Sequence, residues 1–337
     1  MSARFVMDSP CAWLHVWSGS AKVLDCRASQ DKQGFLRFMR LKQPARISVV
    51  VPVLNGARVL GGALRSLTSQ AGVDLQIILM DGGSSDGTQE VVREFAHAID
   101  TIVSEPDAGQ AAALNKGFAR ADGEYFAWLC ADDRLRPGAL EALAGTLASH
   151  PDAVLATGNC LRQYTWGEQI TAPPADFHTR LQWMNTIDQP ASLWRSDAHR
   201  RAGDLDTGLK YAFDWEFWLR LRRLGDFVAI DRLVADYVFS GENLTATGGD
   251  QLAEEMYRVM KRHGPQRGAL ADAYRFLYHV FDKRGFYDAE PDRRPPTWAR
   301  AAHHLVLAAM HRIYGREQID SYNWNFASRQ ARGLDVF

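Results

Sequence analysis

The chain has 337 residues, 46% of them hydrophobic, with 39 Lys+Arg against 40 Asp+Glu and a formal net charge of −1. That length suits one large α/β domain with an extension, or two domains, and the near-neutral balance argues against a nucleic-acid-binding surface. No apolar stretch reaches the length of a membrane span, and the scattered Cys11, Cys26, Cys130 and Cys160 argue against a disulfide frame or zinc site and for reduced thiols in a cytoplasmic protein.

Residues 1–45 read as an N-terminal extension. Asp8 and His15 interrupt any signal-like apolar core. Gly34–Lys42 alternates apolar and basic residues, as an edge strand or a basic surface arm would. From Ile47 the pattern turns regular. Ile47–Val51 is a buried-strand run stopped by Pro52. Val59, Leu60, Ala63, Leu64 and Leu67 recur at helical spacing, and Leu75–Met80 forms a second strand that ends at Asp81. The loop Gly82–Gly87 follows, with Asp86 expected to cap the next helix, whose stripe is Val91, Val92, Phe95 and Ile99. Thr101–Val103 is a short strand, Ala111, Leu114 and Phe118 suit a helix, and Tyr125–Ala131 is the next strand. Pro137 starts another helix before a fifth strand at Ala153–Ala156. Such alternation predicts a mostly parallel sheet wound by right-handed crossovers.

After about residue 160 the alternation breaks. Arg162–Thr171 is a candidate hairpin, Trp215–Leu224 a helix, and Phe227–Ile230 and Leu233–Phe239 are candidate strands. From Asp250 the pattern is mainly helical and ends in an amphipathic helix around Ala301–Ile313. Three placements are open for that helix: docking on the core, pairing with a second subunit in a homo-oligomer, or contact with a membrane surface.

Asp132 and Asp133 close the apolar run that begins at Tyr125. Strand C-termini are where open α/β sheets bind ligands. Adjacent acids there suit a hard divalent cation that keeps waters and substrate phosphates as its other ligands. The alternative is a helix start, since acids favour helix N-termini. Asp81, just past another strand, should face the same crevice. No G-x-G-x-x-G follows the first strand and no G-x-x-x-x-G-K-[ST] occurs, so a dinucleotide fingerprint or P-loop is unsupported.

Several segments together resemble family 2 glycosyltransferases, which are inverting enzymes of the GT-A fold. They are Ile47–Gly56, Met80–Thr88, Glu105–Gln110, Ala113–Gly117, Trp128–Leu135, Gln189–Arg195 and Asp214–Leu221, in that order. The resemblance covers about residues 46–245. It implies an α/β GT-A-type sheet flanked by helices, a nucleotide-sugar-binding subdomain at 46–160, an acceptor-binding subdomain at 161–249, and a helical extension at 250–337. It implies that Asp81 hydrogen-bonds the nucleotide base beside Pro52, Val53 and Asn55. Asp107 and Gly109 would lie near the nucleotide or donor sugar, with Asn115 and Lys116 reaching the donor as well. Asp133 is the implied ligand of Mg²⁺ or Mn²⁺, with Ala131 and Asp132 beside it at the ribose or the metal. Asp214 is the implied general base, a plain helix N-cap being the alternative. Gln189, Trp194 and Glu216 are candidate acceptor contacts.

The chain departs from the family pattern at three positions. Cys130 stands where Asp or Asn is frequent, Phe213 where Glu is frequent, and Ser240 where relatives often carry His or Arg near the diphosphate. The function implied is transfer of a sugar from a nucleoside-diphosphate sugar, UDP-linked by expectation, to a saccharide or lipid-linked acceptor. The place implied is the cytoplasm or the inner face of a membrane. A nucleotidyltransferase and a non-catalytic sugar-nucleotide binding protein are the rival readings.

Overall fold

A computed structural model describes residues 44–164, 167–239, 244–284, 286 and 296–320. Gly34–Lys42, Cys11, Cys26 and Ser240 lie outside the described residues.

The first half alternates as the sequence predicts. Strand β1 (Ala45–Val53) is followed by α1 (Leu60–Thr68), β2 (Val73–Asp81), α2 (Thr88–Phe95), β3 (Thr101–Ser104), α3 (Gln110–Phe118) and β4 (Tyr125–Trp128). β1 pairs in parallel with β2 and β4, and β2 with β3. Seven successive residues of β1, from Ile47 to Val53, are buried. Helices cover both faces of such strands, so they read as continuous apolar runs instead of alternating ones. Each helix buries one stripe. In α1 this is Leu60, Ala63, Leu64 and Leu67, the i, i+3, i+4, i+7 set of one helical face. Each such leucine contributes roughly 1.5–3 kcal/mol by leaving water.

The second half is mixed. The short β5 (Arg134–Leu135) and α4 (Ala139–Ser149) lead into β6 (Ala153–Tyr164), which turns back as a hairpin into β7 (Gly167–Thr171). A single helical turn, α5 (Phe177–Arg180), precedes β8 (Ser192–Arg195), α6 (Ser196–Ala202), α7 (Phe213–Leu221) and β9 (Asp226–Val238). The described strands form one sheet in the order β3-β2-β1-β4-β8-β6-β9-β5, with β7 on β6. β8 runs antiparallel between β4 and β6, while β6 and β9 are parallel. The sheet is therefore mixed, and parallel throughout only across β3-β2-β1-β4. The two strand candidates at 227–239 are one long strand whose register against β6 shifts around Thr157–Cys160. Such irregularities bend a strand, and here they curl the sheet.

After α8 (Leu244–Thr247), α9 (Gly249–His263) packs against α10 (Ala269–Val280), and α11 (Thr297–Tyr314) leads into α12 (Arg316–Asp320). An aromatic cluster fills the space beneath β4 and β8. Trp128 stacks on Trp218 at 5.5 Å and meets Trp194 edge-on at 5.2 Å, and Trp194 Nε1 donates to His199 Nδ1 at 3.2 Å.

Candidate active site

Order reverses in the parallel sheet between β1 and β4, and a crevice opens there beyond the strand C-termini. The loop after β1 is held open by Asn55, whose φ of +53° is left-handed, a conformation that Asn tolerates better than most residues. Its side chain accepts from Ser85 N at 2.9 Å, and its own N–H donates to Ser84 Oγ at 2.8 Å. The loops after β1 and β2 are thereby tied together. Gly109, at φ +110°, starts α3 in a conformation that side chains resist, and its N–H donates to Asp107 Oδ1 at 2.7 Å.

These loops enclose a cavity of about 690 Å³ lined by Pro52, Val53, Asn55, Asp107, Gly109, Ala131 and Asp132 among others. A second cavity, of about 620 Å³, lies over the later strands and is lined by Asp132, Asp133, Arg162, Asn185, Asp188, Gln189 and Asp214, with Met184, Tyr237 and others. Gln110, Cys130, Asp132 and Leu244 line both, so the two cavities adjoin along the tip of β4.

Asp133 sits at the bottom of this junction, 1% exposed. Its Oδ1 accepts from Val238 N at 3.2 Å; among the described residues its buried Oδ2 has no hydrogen-bond partner. Burial, and the Asp132 charge beside it, push the Asp133 carboxyl well above the usual carboxylate range. Burial raises Asp132 as well. An unmatched buried acceptor is costly, and a cation is the natural partner for two adjacent acids. Ligand atoms of Cys130, Asp132 and Asp133 lie within 4.8 Å of one another. The Cys130 thiol accepts from Gln110 Nε2 at 3.2 Å and donates to Gln189 Oε1 at 3.6 Å. Burial first, then Asp133, Asp132 and Asp214, push it well up, so it is a neutral thiol. The residues thus fit a hard cation held by carboxylates.

Asp214 lies on the first turn of α7. The N-cap position is Ala212, so Asp214 is not the cap. Its Oδ2 accepts from Asn185 Nδ2 at 3.1 Å and its Oδ1 from Trp215 N at 2.6 Å. Burial pushes the carboxyl up to about 6, against the lowering effect of these hydrogen bonds. A carboxyl near this value can exchange protons close to neutrality.

Other expected positions fall differently. Asp81 lines neither cavity. Its Oδ1 accepts from Ser84 N and Oγ, and its Oδ2 from Ser104 Oγ and Gln89 Nε2, which together fill a carboxylate's four acceptor sites. Burial raises its pKa, but these bonds outweigh burial and hold it below the usual range. Asn115 spans Leu205 N and O, at 2.9 Å each, and Lys116 pairs with Glu105 at 2.7 Å on the surface. Neither residue lines either cavity.

Trp194 is 0% exposed, within the aromatic cluster, and lines neither cavity. Glu216 points away, bonded to Arg220 and to His263 at 3.1 Å. Burial raises its pKa, yet His263 and Arg220 hold it below the usual range. Gln189 does line the second cavity and donates to Trp128 O at 2.7 Å. Asp86 accepts from Thr88 N at 2.9 Å and Ala57 N at 3.1 Å, a turn one residue ahead of the helix N-cap, Gly87.

Three groups escaped the sequence reading. Arg162 forks onto Asp188 Oδ1 at 2.9 and 2.7 Å, and Thr171 donates to its Oδ2, so both oxygens of Asp188 are held in the cavity wall. Asn185 orients Asp214. Glu255, on α9, accepts from Lys210 N, Tyr211 N and Ala212 N at 2.9, 2.7 and 3.2 Å, closing the exposed amides that lead into α7. The only sequence signal for Glu255 is an acid facing inward on an amphipathic helix.

Residues 48–196 match the family model described as glycosyl transferase family 2. A PGL/p-HBAD biosynthesis glycosyltransferase of Mycobacterium bovis is 28% identical over 180 residues, covering 51% of this chain and 68% of that relative. Among solved structures, S. aureus TarS 1-349 in complex with UDP-GlcNAc gives a TM-score of 0.56 at 17% identity, covering 86% of this chain and 92% of that one. Of the longer TarS chain, this chain spans 55%. The mannosyltransferase PcManGT from Pyrobaculum calidifontis, in complex with GDP-Man and Mn2+, gives 0.54 at 18% identity, covering 86% and 91%. At these identities the structural likeness establishes the fold, which is of the GT-A type.

Proposed function

We propose that this chain, which carries a family 2 glycosyltransferase domain, is a metal-dependent inverting enzyme. It moves a sugar from a nucleoside-diphosphate sugar, UDP-linked in our reading, to an acceptor hydroxyl in polysaccharide or glycoconjugate assembly. The observation that carries this reading is the junction of two cavities at Asp132, with Asp133 beneath it and Asp214 in the wall of the second.

In this reading the cavity of the 46–160 subdomain takes the donor. Its lining by Pro52, Val53, Asn55, Asp107, Gly109 and Ala131 supports that. For Asp81, which lines neither cavity, to receive the base N–H, Gln89 or Ser104 must release Oδ2. The cavity built mainly from residues 161–249 takes the acceptor, with Gln189 in its wall. Asp133, with Asp132 beside it, would hold Mg²⁺ or Mn²⁺, which when bound offsets the charge on the departing diphosphate. Asp214 takes the proton of the acceptor hydroxyl as that oxygen bonds to the anomeric carbon and the carbon–phosphate oxygen bond breaks. Asn185 and Trp215 N–H hold the carboxylate toward the cavity.

Loss of the base should slow transfer roughly 10²–10⁴-fold. A transfer assay on Asp214→Asn, with release of nucleoside diphosphate as readout, checks this. Turnover near wild type would refute the base assignment, and full activity in EDTA would refute the metal role.

A further inference from the structure

The helix α11 carries a face that the described residues leave uncovered. One side packs on the protein: His303 is buried against Phe281 at 4.6 Å, and Val306, Leu307, Met310 and Tyr314 pack on the core. At 100° per residue the side away from the core carries Trp298, Ala301, Leu305, Ala308 and Ala309, with Arg312 among them and Ala302 and Ile313 at one edge. A surface helix normally puts polar residues there. Here Trp298 is 75% exposed, Leu305 74% and Ile313 68%, and all four alanines are exposed.

The helix itself carries charge of one sign, while the acids Glu317 and Asp320 stand on α12 beyond it. Thr297–Tyr314 contains no Asp or Glu, while Arg300 and Arg312 are both exposed; Arg316, which follows, lies 4.0 Å from Asp320. Among the described residues no helix is long and apolar enough to cross a membrane. An apolar stripe with Trp at one end and flanking cations is the pattern of a helix lying in a lipid interface. A second copy fits less well, because a two-fold contact of this face with itself would bring the arginines of both chains together.

We propose that α11 docks this chain on an anionic bilayer surface, its apolar face in the acyl boundary and Arg312, beside that face, on the headgroups. The helix is tied to the second cavity. Glu317, on α12, pairs at 3.3 Å with Arg180, which lines that cavity, and Tyr274 donates to Gln318 O. A chain docked through α11 therefore holds the acceptor cavity in a fixed relation to the membrane, as a lipid-linked acceptor needs. This last step rests on the transferase reading; the docking does not.

The test is sedimentation of the full chain with sucrose-loaded vesicles. Phosphatidylcholine mixed with phosphatidylglycerol should pull the protein down, and phosphatidylcholine alone should do so weakly. Added salt should reduce binding. Leu305→Glu combined with Ile313→Glu should abolish binding, with the thermal midpoint unchanged because both side chains are exposed. Arg312→Gln should weaken it about fivefold, and Arg300→Gln, on the far side of the helix, should change it less. Failure of the wild-type chain to sediment with anionic vesicles would overturn the proposal. So would a lowered thermal midpoint in the double variant, which would mean that the chain covers this face itself. A dimer that the double variant dissociates in light scattering would assign the face to a second copy and overturn it too. Nucleotide-sugar binding, measured on the same samples without vesicles, reports separately on the transferase reading.

Discussion

Asp214 combines a position and a proton affinity that few carboxylates share. Burial carries its pKa to about 6, above the usual value of about 3.9. If it is the base, kcat/KM should climb with pH to near 6 and then level, since only the ionised form accepts a proton. A flat profile from pH 5 to 8 would contradict this. The stability consequence follows from the same shift. A folded-state pKa above the unfolded one stabilises the fold below about pH 4, and that contribution is lost as pH rises through about 6. Asp214→Asn should therefore match wild type in thermal midpoint near pH 4 and exceed it above pH 6. At this scale the acids were legible in the sequence because each ends an apolar run or starts a helix. The burial of Trp194 was not legible, because a tryptophan looks the same in sequence whether its ring faces a cavity or a core. Only the placement of β8 between β4 and β6 decides it. Asn185, Arg162 and Asp188 were missed because they stand on turns and strands whose neighbours no local pattern announces.

The element that matters most is the start of α7, where no side chain of its own provides a cap. Glu255 supplies the acceptor from α9, through three backbone amides, and so sets where Asp214 sits. Glu255→Ala leaves those amides without a protein partner, a loss of about 1–3 kcal/mol. The expected outcome is a lower thermal midpoint together with a fall in kcat larger than the change in KM. Glu255→Gln keeps one carbonyl acceptor and should fall between. An unchanged kcat in Glu255→Ala would show that the base does not depend on this contact. The helices and parallel strands before residue 160 were legible from their periodicity. The later strands were legible only as separate fragments at 227–239, because register shifts in β9 break its alternation. A contact such as Glu255 to residues 210–212 joins segments more than forty positions apart, and sequence spacing says nothing of it.

Across the whole molecule, the sheet order 3-2-1-4 places a cavity of about 690 Å³ at its reversal point, and the mixed half adds a second cavity against it. The first was predictable from parallel-sheet topology. The second depends on β8 running antiparallel into the sheet, which an interrupted strand–helix alternation signals only as a break. The central claim is that the junction at Asp132 and Asp133 binds a nucleoside-diphosphate sugar through a divalent cation. Calorimetry of a nucleotide-sugar panel, with Mn²⁺ and with EDTA, on the wild-type chain and on Asp133→Ala, tests it most directly. The account predicts saturable binding of at least one such sugar with Mn²⁺, lost in EDTA and lost in Asp133→Ala. Binding of equal strength in EDTA and in the variant, or no binding of any member of the panel, would contradict it.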